Sequence, residues 1–127
     1  MKDTKQNISK TFVMHLCDEM FDAVAMGTKV VETRLYDEKR QLIGIGDYIE
    51  FVKESDKSHR VKRRVADMVI GKSFEEVFSS VLLRFTPNQL GFPDEFSLKS
   101  MVDAMYRYYG RDRELQYGVI SFVIDGI

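Results

Sequence analysis

The sequence predicts a single α+β domain built on a small, curved, mostly antiparallel β-sheet. Three observations support this prediction. The chain has 127 residues, a length typical of one domain. Apolar runs indicate five strands, and two segments with helical spacing lie together before the last of them. Because strands and short helices mix without a regular βαβ repeat, a doubly wound parallel sheet is not expected.

The N-terminal region predicts an arm, a strand and a helix. Residues 1–10 are polar and predict a flexible arm, with no secretory signal expected in them. Residues 11–16 (TFVMHL) form a short β-like run. Asp18 is suited to cap a helix, which Gly27 would end in the left-handed conformation that glycine adopts without steric cost. We therefore expect the domain to span residues 11–127.

The rest of the chain predicts four further strands, at residues 30–36, 48–52, 61–70 and 117–124. The last strand is a nearly unbroken apolar run, so we expect it at the centre of the sheet. Ser73 and Ser97 are each expected to cap the first turn of a helix, and Glu76 would complete a capping box with Ser73. Gly110 is expected to end the second of these helices.

Composition excludes several classes of protein. The net charge is −1, from 19 Lys and Arg against 20 Asp and Glu, which does not indicate a nucleic-acid binder. No apolar run approaches the ~20 residues that a membrane span needs, so no membrane association is expected. Cys17 is the only cysteine and there are two histidines, so we expect no disulfide, no metal and no cofactor. A cytoplasmic location is the default expectation, and the sequence leaves the oligomeric state open.

One segment is more basic than the rest of the chain. Residues 53–64 contain six Lys and Arg side chains, opposed only by Glu54 and Asp56. An edge strand uses such charges to prevent unwanted sheet pairing, whereas a nucleic-acid-binding surface uses them to contact phosphates. The second interpretation predicts a phosphate-binding rim formed by Lys57, Arg60, Lys62, Arg63 and Arg64, which Arg107, Arg111 and Arg113 near a helix end could extend.

The most informative segment is Gly27-Thr28-Lys29-Val30-Val31-Glu32-Thr33-Arg34. Strand alternation places Glu32 and Arg34 on one face, about 7 Å apart along the chain. Burying a carboxylate and a guanidinium in an apolar sheet is costly unless they are paired. The cluster is therefore either a structural ion pair or a polar pocket, in which Lys29 supplies charge, Glu32 accepts protons or hydrogen bonds, and Arg34 binds an anion. Periodicity alone does not decide between the two.

This segment resembles the G-x-K-x-x-E-x-R signature of the ASCH domain family. The similarity continues in four later fragments, RLYDEKR at 34–40 (typical of one bacterial branch), GDYIEF at 46–51, SFEE at 73–76, and YY with YGV at 108–109 and 117–119. Five fragments in the right order span roughly residues 11–124. The resemblance implies a PUA-like mixed or antiparallel β pseudo-barrel of five or six strands with surrounding short helices. It also implies a cleft at the motif that binds RNA or a nucleoside-like ligand.

The resemblance and the side-chain chemistry together define a candidate site. Tyrosines offer faces on which bases stack, and Tyr106 and Tyr108 are available besides those assigned to the site. The expected ligand-binding residues are Thr28, Lys29, Glu32, Arg34, Tyr36, Tyr109 and Tyr117. Some relatives hydrolyse N4-acylated cytidine with a Lys and a Thr in this motif. Here Lys29 matches that lysine and Glu32 occupies the threonine position, so these two are the catalytic candidates only if the protein is an enzyme.

Three functions are compatible with the sequence. The protein binds RNA or a nucleoside at the motif, or it is a small hydrolase on the same scaffold, either an N4-acylcytidine-type amidohydrolase or a ribonuclease. The third possibility is a non-enzymatic protein-interaction module in which the charges are structural. A charge cluster that opens into a concave pocket favours a ligand site, whereas one sealed under side chains favours the structural role.

Overall fold

The computed structural model describes residues 8–125 as a curled sheet of five strands with four α-helices around it. Strands β1 to β5 comprise Thr11–Leu16, Val31–Leu35, Tyr48–Lys53, Arg60–Gly71 and Val119–Ile124. Helices α1 to α4 comprise Asp18–Met26, Phe74–Val81, Leu98–Met105 and Arg111–Tyr117, and two 3₁₀ turns comprise Arg40–Leu42 and Pro87–Leu90. Most of the arm predicted at residues 1–10 lies outside the described residues. No helix within 8–125 is long and apolar enough to cross a bilayer.

The strands follow the order β1-β3-β4-β5-β2 across the sheet. Strands β1 and β3 pair in parallel, and every other pairing is antiparallel. The sheet curls into a half-barrel, so the predicted α+β class is confirmed. Strand β5 is buried along its whole length between β4 and β2, which agrees with the central position predicted from its apolar sequence. Strands β1 and β2 are the two edges of the sheet.

Strand β5 divides the interior into two apolar clusters, because its side chains alternate between the two faces of the sheet. Ile120 and Phe122 belong to the first cluster, which packs against β1, α1 and β3 inside the curl. Val119 and Val123 belong to the second cluster, which packs under α2 and α3. Strand β2 contributes Val31 and Leu35 to the second cluster, while its Glu32 and Arg34 pair with residues of β5 that belong to the first.

Three of the predicted helix ends are present. Gly27 has φ +84° and its N–H reaches the carbonyls of Ala23 and Val24, which ends α1 in the left-handed conformation. Ser73 and Ser97 each accept a hydrogen bond from a backbone N–H three residues later. The prediction of a capping box at Ser73 is wrong for its second hydrogen bond. The carboxylate of Glu76 accepts from the backbone N–H of Lys72 and not from that of Ser73.

The sequence analysis does not predict helix α4. Helix α3 ends at Met105, and Gly110 precedes α4 and does not end α3. Residues 111–117 are mostly polar and have no apolar stripe, so no helical period marks them. Helix α4 is held instead by the buried carboxylate of Glu114. That carboxylate accepts hydrogen bonds from the backbone N–H of Phe74 and the hydroxyl of Tyr106, each at 2.7 Å. Strand β5 therefore begins at Val119, after the predicted start at residue 117.

Candidate functional site

The motif lies at the junction of α1 and β2. After Gly27 the backbone N–H groups of Thr28 and Lys29 both donate to the carbonyl of Ala23, which fixes the turn into the strand. The hydroxyl of Thr28 donates to the same carbonyl, so this side chain is directed back to the helix. Along β2, Glu32 and Arg34 pair with Phe122 and Ile120 of β5, whose side chains lie inside the curl. The charged pair therefore faces the concave side of the sheet.

The ammonium group of Lys29 is enclosed by acceptors. It lies 2.9 Å from Oε1 of Glu32 and donates to the backbone carbonyls of Val31 and of Leu90, the latter at 3.2 Å. Lys29 is only 4% exposed. Because an ammonium group has three N–H donors, all of its hydrogen-bonding capacity is used within the protein. Lys29 thus links strand β2 to the 3₁₀ turn before Gly91.

The carboxylate of Glu32 is buried between two cations. Its Oε1 accepts from Lys29, and its Oε2 lies 2.6 Å from Nε of Arg34. Burial alone raises the pKa of the Glu32 carboxyl, but the charge of Lys29 and then that of Arg34 outweigh it and lower the pKa to about 2. Glu32 is therefore ionised at neutral pH, and both of its oxygens are occupied.

Arg34 extends from the charge cluster to the surface. Its Nη2 donates to the backbone carbonyl of His15 on β1 at 3.0 Å, while its Nε is paired with Glu32. Within residues 8–125 no group accepts a hydrogen bond from its Nη1. The guanidinium is therefore held in place on two sides and keeps one nitrogen for another acceptor.

A cavity of about 300 Å³ lies beside the outer part of Arg34. Its lining combines three arginines, two tyrosines, one carboxylate and one apolar side chain: Arg34, Arg40, Arg113, Tyr108, Tyr109, Asp37 and Leu35. Nη1 of Arg40 pairs with the carboxylate of Asp37 at 3.1 Å. The ring of Tyr108 is 82% exposed at this site. The cavity is thus both cationic and aromatic, which suits an anionic ligand that has a flat ring.

Of the seven predicted ligand-binding residues, two line this cavity. Arg34 and Tyr109 line it, and Lys29 and Glu32 lie behind Arg34. Tyr36 packs against the apolar cluster inside the curl. Tyr117 ends α4, with the guanidinium of Arg113 5.6 Å from its ring centre, and lines a second cavity between β4 and α4.

The predicted phosphate rim is separate from the cavity. Arg60, Lys62 and Arg64 alternate along the same face of β4 and are exposed. Arg63 has the opposite orientation, and its guanidinium approaches the carbonyls at the end of α1. Lys57 lies in the turn between β3 and β4. None of these five side chains lines the 300 Å³ cavity.

Two of the cavity residues are not among the sequence-derived candidates. Asp37 and Arg40 belong to the RLYDEKR fragment, but the fragment by itself gives them no role. Their i, i+3 spacing with opposite charges is a signal for a local ion pair. What the spacing cannot indicate is that α4 would bring Arg113 to the same place.

A curled sheet of five strands with four helices around it is a PUA-like fold. The family model of the ASCH domain matches residues 14–121, and the chain therefore belongs to the ASCH domain family. No match was found among curated proteins.

Solved structures show the same fold. The hypothetical protein PH0355 is 30% identical, with a TM-score of 0.75, and the alignment covers 92% of this chain and 99% of that one. Protein PF0455 from Pyrococcus furiosus is 27% identical, with a TM-score of 0.62 and coverage of 91% and 96%. ASCH from Zymomonas mobilis is 16% identical, with a TM-score of 0.61 and coverage of 91% and 66%. That last similarity extends to the fold alone.

Proposed function

We propose that this protein binds RNA or a nucleoside-like ligand in the cavity beside Arg34. The observation that supports the proposal most directly is the lining, in which three arginines and two tyrosines surround about 300 Å³. Proteins recognise unpaired nucleotides by stacking bases on aromatic rings and by contacting phosphates with cations. Membership of the ASCH domain family agrees with this class of ligand.

The charge cluster behind the cavity supports binding because it fixes the position of Arg34. Glu32 and the carbonyl of His15 hold the guanidinium from two directions, so little side-chain entropy would be lost when a ligand binds to Nη1. Lys29 in turn holds Glu32. In this proposal the sealed part of the cluster is structural, and its open end at Arg34 contacts the ligand.

The same geometry favours binding over the hydrolase alternative. A general base or nucleophile must come within hydrogen-bonding distance of the reacting group. Lys29 has no N–H left to approach a ligand, and both oxygens of Glu32 are occupied by cations. The low pKa of Glu32 also makes it a weak base at neutral pH.

For a longer RNA, we propose that the exposed cations of β4 contact additional phosphates. Arg60, Lys62 and Arg64 are side by side on one face of the strand, which is the arrangement of a backbone-tracking surface. Arg60 and Arg64 form ion pairs with Glu50 and Asp125 at 3.2 and 3.3 Å, and exposed pairs of this kind are weak enough to exchange partners. Arg63, which is directed toward α1, takes no part in this proposal.

The proposal is tested by measuring the affinity of a 3′-labelled RNA hexanucleotide by fluorescence anisotropy. Tyr108→Ala should weaken binding by about fivefold or more, since stacking on one aromatic side chain contributes about 1–3 kcal/mol per base. Leu115→Ala is the matched control, because Leu115 is equally exposed but does not line the cavity. Equal affinities for the wild type and Tyr108→Ala, or no binding by the wild type at low salt, would contradict the proposal.

A further inference from the structure

The cavity carries more positive charge than a neutral nucleoside requires. Together with the residues directly behind it, the site has four cations, Lys29, Arg34, Arg40 and Arg113, and two carboxylates, Glu32 and Asp37. Four positive charges less two negative charges leave a net charge of +2. We propose that the cavity binds the terminal phosphate of a nucleotide, with the base stacked on Tyr108 at the rim. This inference rests on the proposed function.

The net charge of the site matches a terminal phosphate better than an internal one. A phosphomonoester carries a charge of about −1.5 to −2 at neutral pH, which matches the net charge of the site. An internal phosphodiester carries one negative charge and would leave about one positive charge unbalanced in a half-enclosed space. A neutral nucleoside would leave the whole excess in place. The site is therefore best matched to the dianionic end of a nucleotide.

The available hydrogen-bond donors also point to phosphate oxygens. Within residues 8–125, Nη1 of Arg34 and Nη2 of Arg40 donate to no acceptor, and Arg113 forms no ion pair. All three guanidinium groups line one cavity. Guanidinium groups bind phosphate through paired N–H donors, and three of them can surround the three terminal oxygens of a phosphomonoester.

The size of the cavity explains why the base would lie at the rim. A volume of about 300 Å³ is at the lower end of the range for ligand pockets. Buried Leu35 and half-buried Tyr109 line the cavity along with the arginines, whereas the ring of Tyr108 is almost fully exposed. The phosphate and part of the sugar would therefore enter, and the base would stack on the Tyr108 ring.

The experiment compares the affinities of cytidine, cytidine 5′-monophosphate, cytidine 3′-monophosphate and inorganic phosphate by isothermal titration calorimetry. At least one monophosphate should bind about tenfold tighter than cytidine or more, because charge-assisted hydrogen bonds are the strong ones. Arg113→Gln should remove this difference. Arg84→Gln is the matched control, since it removes the same charge from an exposed arginine that does not line the cavity.

Two hexanucleotides, with a 5′-phosphate and with a 5′-hydroxyl, distinguish an RNA end from a free nucleotide as the source of the phosphate. A phosphorylated RNA that binds tighter than the mononucleotide supports an RNA end, and equal affinities support a free nucleotide. Monophosphates that bind no tighter than cytidine would overturn the inference and leave the proposed function standing. Equal losses in Arg113→Gln and Arg84→Gln would also overturn it. If no nucleoside, nucleotide or RNA binds, the inference and the proposed function both fail.

Discussion

The guanidinium of Arg34, on one edge strand of the sheet, donates a hydrogen bond to the backbone carbonyl of His15 on the other edge strand. The N···O distance is 3.0 Å. Strands β1 and β2 are not paired with each other, so this side chain connects the two ends of an open half-barrel. Because the same guanidinium is paired with Glu32, the connection depends on the buried charge cluster.

The first prediction concerns this connection. Arg34→Lys should lower the free energy of unfolding by about 2 kcal/mol, because one ammonium group cannot reach both Glu32 and His15 and a charge-assisted hydrogen bond is lost. Amide hydrogen exchange should become faster along β1, which among the described strands is paired with β3 alone. Urea denaturation and hydrogen-exchange mass spectrometry measure the two effects. Arg40→Lys, at a surface pair with Asp37, is the control and should cost about 1 kcal/mol or less. Unchanged exchange in β1 would contradict the bridging role.

The second prediction compares two glutamates. Glu32→Gln should destabilise the protein by about 3–5 kcal/mol, because Lys29 and Arg34 would be left buried without their counter-charge. Glu50→Gln should cost about 1 kcal/mol or less, since Glu50 forms a partly exposed pair with Arg60. Chemical denaturation of both variants gives the comparison. Similar small losses in the two variants would mean that the buried cluster does not stabilise the fold.

The third prediction is a pH dependence of stability. The pKa of Glu32 falls from 4.5 to about 2 on folding, so its ionised form stabilises the native state above pH 4.5. This contribution, on the order of 3 kcal/mol, is lost as the pH falls from 4.5 toward 2. Urea midpoints measured between pH 5 and pH 2.5 should therefore decrease more steeply in the wild type than in Glu32→Gln. Parallel decreases would show that other carboxylates account for the acid sensitivity.

The fourth prediction concerns Gly91, which packs against Lys29. Gly91 has φ +96°, and a Cβ at this position would lie 2.8 Å from Sδ of Met20 and 3.2 Å from Cδ of Lys29. Gly46 has nearly the same φ, +95°, but a Cβ there would have nothing within 4 Å. Gly91→Ala and Gly46→Ala should both be destabilised by about 1–3 kcal/mol, because alanine is strained at a positive φ. Gly91→Ala should lower the free energy of unfolding by about 1 kcal/mol more than Gly46→Ala does, because Lys29 is held by three acceptors and cannot move aside. Equal thermal stabilities would contradict this packing role.

The fifth prediction concerns the outer face of β4. The double variant Lys62→Gln and Arg64→Gln should lower the salt dependence of RNA binding by about 1.4 in log–log slope, at about 0.7 for each phosphate contact to a single strand. Binding of cytidine 5′-monophosphate should not change. Lys99→Gln with Arg84→Gln is the matched control, since it removes two exposed cations elsewhere on the surface. A salt slope that stays the same in the β4 variant would exclude these residues from the RNA-binding surface.

Much of the fold could be predicted because local signals agree with it. Gly27, Ser73 and Ser97 mark helix ends by their own chemistry, and the apolar sequence of β5 predicts its central place. Strand alternation also places Glu32 and Arg34 on one face, which is where they lie. Helix α4 could not be predicted in this way. It is held by Glu114 contacting the start of α2, and this contact leaves no periodic apolar pattern.

The candidate site could be predicted only in part, for a related reason. The motif gives the three charged residues, but three of their partners are the backbone carbonyls of His15, Val31 and Leu90. Every residue has a carbonyl, so such partners have no sequence signature. Likewise, the approach of Arg113 to Arg40 depends on how α4 is placed, which no local pattern encodes.

The position of β5 has a consequence for synthesis on the ribosome. Strand β2 is made early, yet within residues 8–125 its only strand neighbour is β5, the last strand of that range to emerge. A nascent chain that has reached α4 therefore exposes the apolar side chains of β2 and one edge of β4 to solvent or to chaperones. The sheet can close only after residues 119–124 have left the exit tunnel, so the domain cannot fold strand by strand as its earlier strands emerge.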